Sequence, residues 1–229
     1  MKKPQNLHRA IVQVLVFIVL VPLLPILISW LWGWVEAWIF AVCNILSFVI
    51  SRVIAGRKNP GLIQERARML NHPDAAPFDK RLAPLLGLGN LLIVITAGLE
   101  ARVSMPTLNL TEEALALAVL LAGYFVASYA LIANPFFSGM VRLQTDRDHQ
   151  VVDAGPYQWI RHPGYAGAIL AYLATPFLLD STWSLIPAAA TILVLIIRTG
   201  MEDSFLYKNL SGYNDYADRT RYRLFPGIW

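Results

Sequence analysis

One cysteine and few charges are what the chain offers a solvent: Cys43 alone, and 15% Asp, Glu, Lys and Arg in 229 residues. A single cysteine inside an apolar run excludes a disulfide framework and a thiolate zinc site. It reads as a small buried hydrophobe. A soluble domain carries about 25% charged residues and about 45–50% apolar ones. Here the apolar share is 56% and the mean hydropathy is +0.51, too much for a surface facing water. There is no long polar linker, internal repeat or low-complexity tract, so one membrane domain is expected over residues 1–229. A Gly-x-Gly-x-x-Gly nucleotide loop is also missing, because Gly87 and Gly89 lie in an apolar run with no third glycine in register.

What is present is a series of apolar runs, at 11–31, 35–54, 82–99, 114–133, 164–179 and 183–197. A helix needs about 20 apolar residues to cross a bilayer. The first run is longer than the roughly 7–15 residues of a signal-peptide core and leads to Trp30, Trp32 and Trp34 rather than a cleavage site. It reads as a first transmembrane helix, kinked by Pro22 and Pro25. Thr111 before Glu112 and Glu113 reads as the cap of the fourth helix. The fifth and sixth runs are short, which fits tilted helices or a re-entrant hairpin. The expected fold is therefore an all-α, polytopic helix bundle of about six spans.

The net charge of +4 is distributed to suit a membrane rather than a nucleic acid. Lys2, Lys3 and Arg9 precede the first run, Arg52 to Arg81 flank the polar segment 55–81, Arg142 to Arg161 lie between runs four and five, and Arg198 to Arg223 fill the tail. With six spans all of these fall on one side, and only Arg102 falls on the other. Both termini are then expected in the cytoplasm, of a bacterial inner membrane or an endoplasmic reticulum. Within 55–81, Leu62, Ile63, Met69 and Leu70 alternate with Glu65, Arg66 and Arg68, which fits an interfacial amphipathic helix or a plain connector held near lipid by charge.

The chemistry sits in two polar clusters. One runs from His149 through Tyr157, Arg161 and His162 to Tyr165; the other holds Arg198, Glu202 and Asp203, then Tyr213, Tyr216 and the closing Pro226-Gly227. Charge beside an apolar helix is costly unless used. Pro163 suits the first turn of a helix whose free N–H groups would receive an anion. Arg198 and Glu202 are four residues apart and share a helix face. Such a site suits a ligand with an anionic end, a cationic end and an aromatic ring, as in S-adenosylmethionine.

The joint order of these residues resembles the isoprenylcysteine carboxyl methyltransferases and their phospholipid methyltransferase relatives. The shared pattern is His-x-Val-Val, Gly-Pro-Tyr-x-x-x-Arg-His-Pro-x-Tyr, a hydrophobic hairpin, then Arg-x-x-x-Glu-Glu-x-x-Leu and a closing Pro-Gly. It covers about Arg142 to Gly227, so 136–229 would be the cofactor-binding core and 1–135 a set of variable helices. The resemblance implies an S-adenosylmethionine site formed by Gln144, His149, Val151, Val152, Tyr157, Arg161, His162, Pro163, Gly164 and Tyr165 on the cytoplasmic side. It implies that Glu202 holds the cofactor's cationic side and that Arg198 faces the methyl acceptor, a lipidic or small carboxylate or thiol compound. Asp203 stands where the pattern has a second Glu and is expected with Glu202 among the cofactor-binding residues, keeping the charge with a shorter reach. No metal and no nucleic acid are expected. A sterol-reductase-like NADPH enzyme shares part of the pattern but is usually longer. A non-enzymatic transporter or scaffold would want a charge at a span centre, where this chain places none convincingly.

Overall fold

The protein is described by a computed structural model over residues 16–67, 73–107 and 110–229. A π-helical stretch, Val16–Leu20, leads into α1 (Val21–Ser29), followed by α2 (Val35–Lys58) and α3 (Pro60–Ala67). Then come α4 (Asp79–Glu100), α5 (Leu110–Ala133), α6 (Pro163–Leu178), α7 (Leu185–Asn209) and α8 (Tyr213–Arg219). Among the described residues there is no strand.

Each of the six apolar runs contains a helix. The change from π to α winding falls at Leu20–Val21, just before Pro22, whose missing N–H breaks the regular ladder. Four helices, α2, α4, α5 and α7, are long and apolar enough to cross a membrane. α6 has 16 residues, about 24 Å at 1.5 Å per residue, short of the roughly 30 Å of a hydrocarbon core. Several boundaries differ from the apolar runs. α4 begins at Asp79 and α5 at Leu110, which places Thr111 inside the first turn of α5 rather than at its cap. α7 continues to Asn209, so Arg198, Glu202 and Asp203 are all helical.

α3 is a docked helix. Leu62 is fully buried with Ala55 and Leu131, and Glu65 is buried in an ion pair with Arg142. Arg68, Met69 and Leu70, with Lys2, Lys3, Arg9 and residues 11–15, lie outside the described residues.

Small residues set how closely the helices pack. A Cβ on Gly123 of α5 would lie 2.6 Å from the Gly167 carbonyl of α6, and one on Gly167 would lie 2.5 Å from the Gly123 carbonyl. Between α4 and α7, a Cβ on Gly89 would overlap the Thr191 hydroxyl. In lipid, where apolar burial gives helices little reason to associate, such close backbone approach is what holds them together. The outer surface is apolar: α2 exposes Val42, Leu46, Val49, Ile50 and Val53, and α7 exposes Ile186, Leu193 and Ile197. Bands of this kind have no place in water. The chain is an integral membrane protein.

The bundle has two chemically different ends. At one, Glu100 accepts hydrogen bonds from Ser181 and Thr182 (2.6 Å each) and from the Trp183 N–H (2.8 Å). At the other end lie Arg142, Arg161, Arg198 and Arg223 and the described residues of the candidate site.

The close α5–α6 crossing predicts unequal responses to added methyl groups. Gly167→Ala is expected to lower stability by about 1–3 kcal/mol through overpacking. Gly87→Ala, where a Cβ meets nothing within 4 Å, is expected to raise it by about 0.5–1 kcal/mol. Thermal unfolding in detergent compares them; equal shifts would remove the crossing from the account.

Candidate functional site

The segment between α5 and α6, residues 134–162, has two short 3₁₀ turns and otherwise no regular structure. Its shape is imposed by side chains. Arg142 forks onto Glu65 of α3 (Nε–Oε1 2.7 Å, Nη2–Oε2 2.9 Å), and its Nη1 reaches Asp146 and Asp74 at 2.8 and 2.9 Å. Glu65 foremost, against the cost of burial, pushes the Arg142 guanidinium up. Gln144, almost fully buried, donates to the Phe136 carbonyl (2.7 Å) and accepts from Arg147 (2.5 Å). The Gln144 N–H donates to His149 Nδ1 at 3.2 Å, which leaves the proton of a neutral ring on Nε2. Burial, then the positive charges of Arg142 and Arg147, lower His149 to about 4. The ring is neutral at physiological pH.

A second knot forms around Asp203 on α7, which is only 3% exposed. Arg161 forks onto it at 2.8 and 2.9 Å, Arg223 donates at 2.7 Å, Tyr213 at 2.8 Å, and His162 Nε2 lies at 3.1 Å. Arg161 Nη1 also donates to the Thr220 and Arg221 carbonyls, and the backbone N–H groups of Arg161 and His162 donate to Tyr222 and Arg223. The C-terminal tail is thereby fastened to the start of α6. Burial would lower the Arg161 guanidinium, but Asp203 holds it above its usual value. Burial also pushes the Tyr157, Tyr213 and Tyr216 hydroxyls up, so all three remain donors.

The third knot is on the same helix. Arg198 forks onto Asp79 of α4 (Nε–Oδ1 2.6 Å, Nη2–Oδ2 2.9 Å), and Asp79 is fully buried. Arg198 also donates to the Gly139 carbonyl (3.0 Å), while Asp79 accepts from the Val141 N–H (2.6 Å). One turn further along, Glu202 accepts from the Tyr165 hydroxyl at 2.5 Å.

These knots surround an open cavity. Its wall brings together Gln144, His149, Val151, Val152, Tyr157, Arg161, His162, Gly164, Tyr165, Arg198 and Glu202, all singled out from the sequence. Two others are not on the wall. Pro163 is buried as the first residue of α6, and Asp203 is turned away from the cavity into its own knot. Gly164 is small because a Cβ there would come 2.6 Å from the Phe137 ring, itself part of the wall.

Sequence reasoning missed Asp79 and Glu65, both of which lay in the polar segment 55–81, and the wall residues Phe136 and Phe137. The available signal was the need of each buried arginine for a carboxylate. In charge, the wall is simple. Arg142, Arg161 and Arg198 each pair with a carboxylate, whereas Glu202 makes no ion-pair contact among the described residues. Glu202 is thus the one carboxylate on the cavity wall, beside polar donors from Arg198 and His149 and an apolar lining from Val151, Val152 and Leu206. Among the described residues no group of His, Cys, Asp and Glu could hold a metal ion.

Comparison with known proteins agrees with this architecture. Residues 114–208, which run from within α5 to near the end of α7, match the model of the isoprenylcysteine carboxyl methyltransferase (ICMT) family. The match supports membership of that family and a membrane methyltransferase in general. No curated protein matches the chain.

Two predictions separate the knots from the wall. Asp203→Asn leaves Arg161 and Arg223 without their counter-charge and is expected to cost about 3–5 kcal/mol in thermal unfolding, whereas Glu202→Gln should unfold near wild type. Asp203→Asn unfolding like wild type would contradict the anchoring role. His149 makes the second. Unfolded, its ring takes up a proton near pH 6.5; folded, only near 4. Its contribution is therefore intact above about pH 6.5 and is lost as pH falls toward 4. His149→Gln should flatten the stability profile across that window, and an unchanged profile would count against it.

Proposed function

On the footing that residues 114–208 are an isoprenylcysteine carboxyl methyltransferase family core, we propose that the cavity binds S-adenosylmethionine and that the protein methylates a lipidic or small carboxylate or thiol acceptor at the membrane. The observation that carries this reading is the lone wall carboxylate outside the ion-pair knots, Glu202, among donors and apolar side chains. The cofactor has a net positive charge, with a sulfonium and an ammonium beside one carboxylate, and its cationic side is complementary to Glu202.

The cofactor supplies an electrophilic methyl group, which leaves its sulfur as a bond to the acceptor forms. The chain's residues do the rest. Glu202 holds the cationic side. Tyr165, fixed by its hydrogen bond to Glu202, and His162, stacked on Tyr165 with ring centroids 5.7 Å apart, form a flat wall. His149, neutral and with its Nε2–H free of the Gln144 contact, and the first N–H groups of α6 at Gly164 serve as donors for an anionic end. Gln144, Val151, Val152 and Tyr157 shape the remaining wall. Arg161 contributes less as a direct contact, because Asp203 and tail carbonyls take most of its donors. Pro163 and Asp203 act from behind, by starting α6 and by fixing Arg161 and His162. Arg198 keeps one edge of its guanidinium for the acceptor.

Transfer of a methyl group to a carboxylate or thiolate needs no strong base, so the protein contributes positioning and exclusion of water. The membrane reading that accompanies this is six passes with both termini and the site in the cytoplasm. It is supported by the Lys and Arg residues gathered at the site end of the bundle and the single Arg102 on the opposite side.

Calorimetry on detergent-purified protein tests the cofactor class. S-adenosylmethionine and S-adenosylhomocysteine should bind and NADPH should not. Binding of NADPH with no response to either adenosyl ligand would replace this reading with the reductase one. Radiolabelled methyl transfer to N-acetyl-S-farnesylcysteine, an alkanethiol and phosphatidylethanolamine then sorts the acceptor classes.

A further inference from the structure

Asp79 lies outside residues 114–208, and the family core assigns it nothing. It sits fully buried in the first turn of α4, reaching across to α7. Its two oxygens occupy the Nε and Nη2 edge of Arg198 and also hold the Val141 N–H. Arg198 Nη1 has no protein partner among the described residues, and its guanidinium lies 5.2 Å from the Tyr165 ring centroid on the cavity wall.

Four residues along α7 stands Glu202. An Arg and a Glu at i and i+4 are natural partners on a helix face. Without Asp79, Arg198 would be a buried cation in need of a counter-charge, and Glu202 is the carboxylate one turn away on its own helix. That pairing would engage the Glu202 carboxylate and turn the guanidinium from the acceptor end toward the cofactor end. Asp79 prevents this by offering a bidentate acceptor on the opposite side, where the fork geometry of arginine is satisfied.

We propose that Asp79 is a positioning residue that holds Arg198 off Glu202, so that two opposite charges on one helix face keep separate tasks. The proposal rests on the reading that Glu202 holds the cofactor. Asp79→Asn cannot substitute. Its Oδ1 and NH2 would have to meet three donors, from Arg198 Nε, Arg198 Nη2 and the Val141 N–H, and the amide repels at least one of them.

The test is S-adenosylmethionine titration of purified protein, which needs no acceptor. Asp79→Asn should weaken cofactor binding roughly 10- to 150-fold, the effect of losing one charged hydrogen bond. Removing the released cation should reverse this: Asp79→Asn combined with Arg198→Met should bind within about threefold of Arg198→Met alone. A merely structural role for Asp79 would give no such rescue. The proposal is overturned if Asp79→Asn binds like wild type, or if the double variant binds no better than Asp79→Asn. Should Asp79→Asn fail to fold, the double variant still decides, because exchanging both members of a buried ion pair is tolerated where losing one is not; a folded double variant that binds well beyond that threefold margin more weakly than Arg198→Met overturns the proposal. Wild-type protein that binds no S-adenosylmethionine counts instead against the functional reading.

Discussion

Three buried arginines organise this molecule, and each is closed by a carboxylate distant in sequence. Arg142 takes Glu65, Arg161 takes Asp203, and Arg198 takes Asp79. A buried guanidinium without a partner is expensive, and a paired one is roughly neutral relative to apolar packing. What the pairs contribute is therefore geometry more than net stability. They fix the irregular segment 134–162 to α3, α4 and α7, and they draw the C-terminal tail over the start of α6. The cavity is the space these ties leave open. Glu202, left out of the pairing, gives it its charge.

The helices beneath serve that arrangement. Gly123 and Gly167 let α5 and α6 approach at backbone distance and Gly89 lets α4 close on Thr191 of α7, and at the start of α6 Tyr165 reaches Glu202 on α7. The far end of the bundle is tied by Glu100 to the turn before α7. The outer faces remain apolar and face lipid. A ligand with a long apolar part and a polar head would meet both environments at the place where α7 passes from its apolar half to its charged one.

Much of this was readable from residue order. The apolar runs located the helices, because about 20 apolar residues in succession have few other uses. The stretch from His149 to Tyr165 and the Arg198–Glu202 spacing located the cavity wall, because charges flanking an apolar helix need partners or ligands. Asp79 and Glu65 escaped, since a carboxylate in a polar loop looks solvated until the fold brings an arginine to it. Asp203 was placed with Glu202 as its neighbour in sequence. Adjacent helical residues point about 100° apart, however, and the structure turns one to the cavity and the other to the tail. The true start of α4 was hidden for a similar reason: its first turn is polar, and hydropathy alone begins the helix at residue 82.

The central claim is that the one carboxylate on the cavity wall that lies outside the ion-pair knots selects a cationic cofactor. Titration of S-adenosylmethionine into wild-type and Glu202→Gln protein measures this most directly, with the substitution chosen to keep shape while removing charge. The account predicts that Glu202→Gln weakens binding roughly 10- to 150-fold, as expected for a lost charge-assisted contact. Equal affinity in the two proteins, both folded, would contradict it.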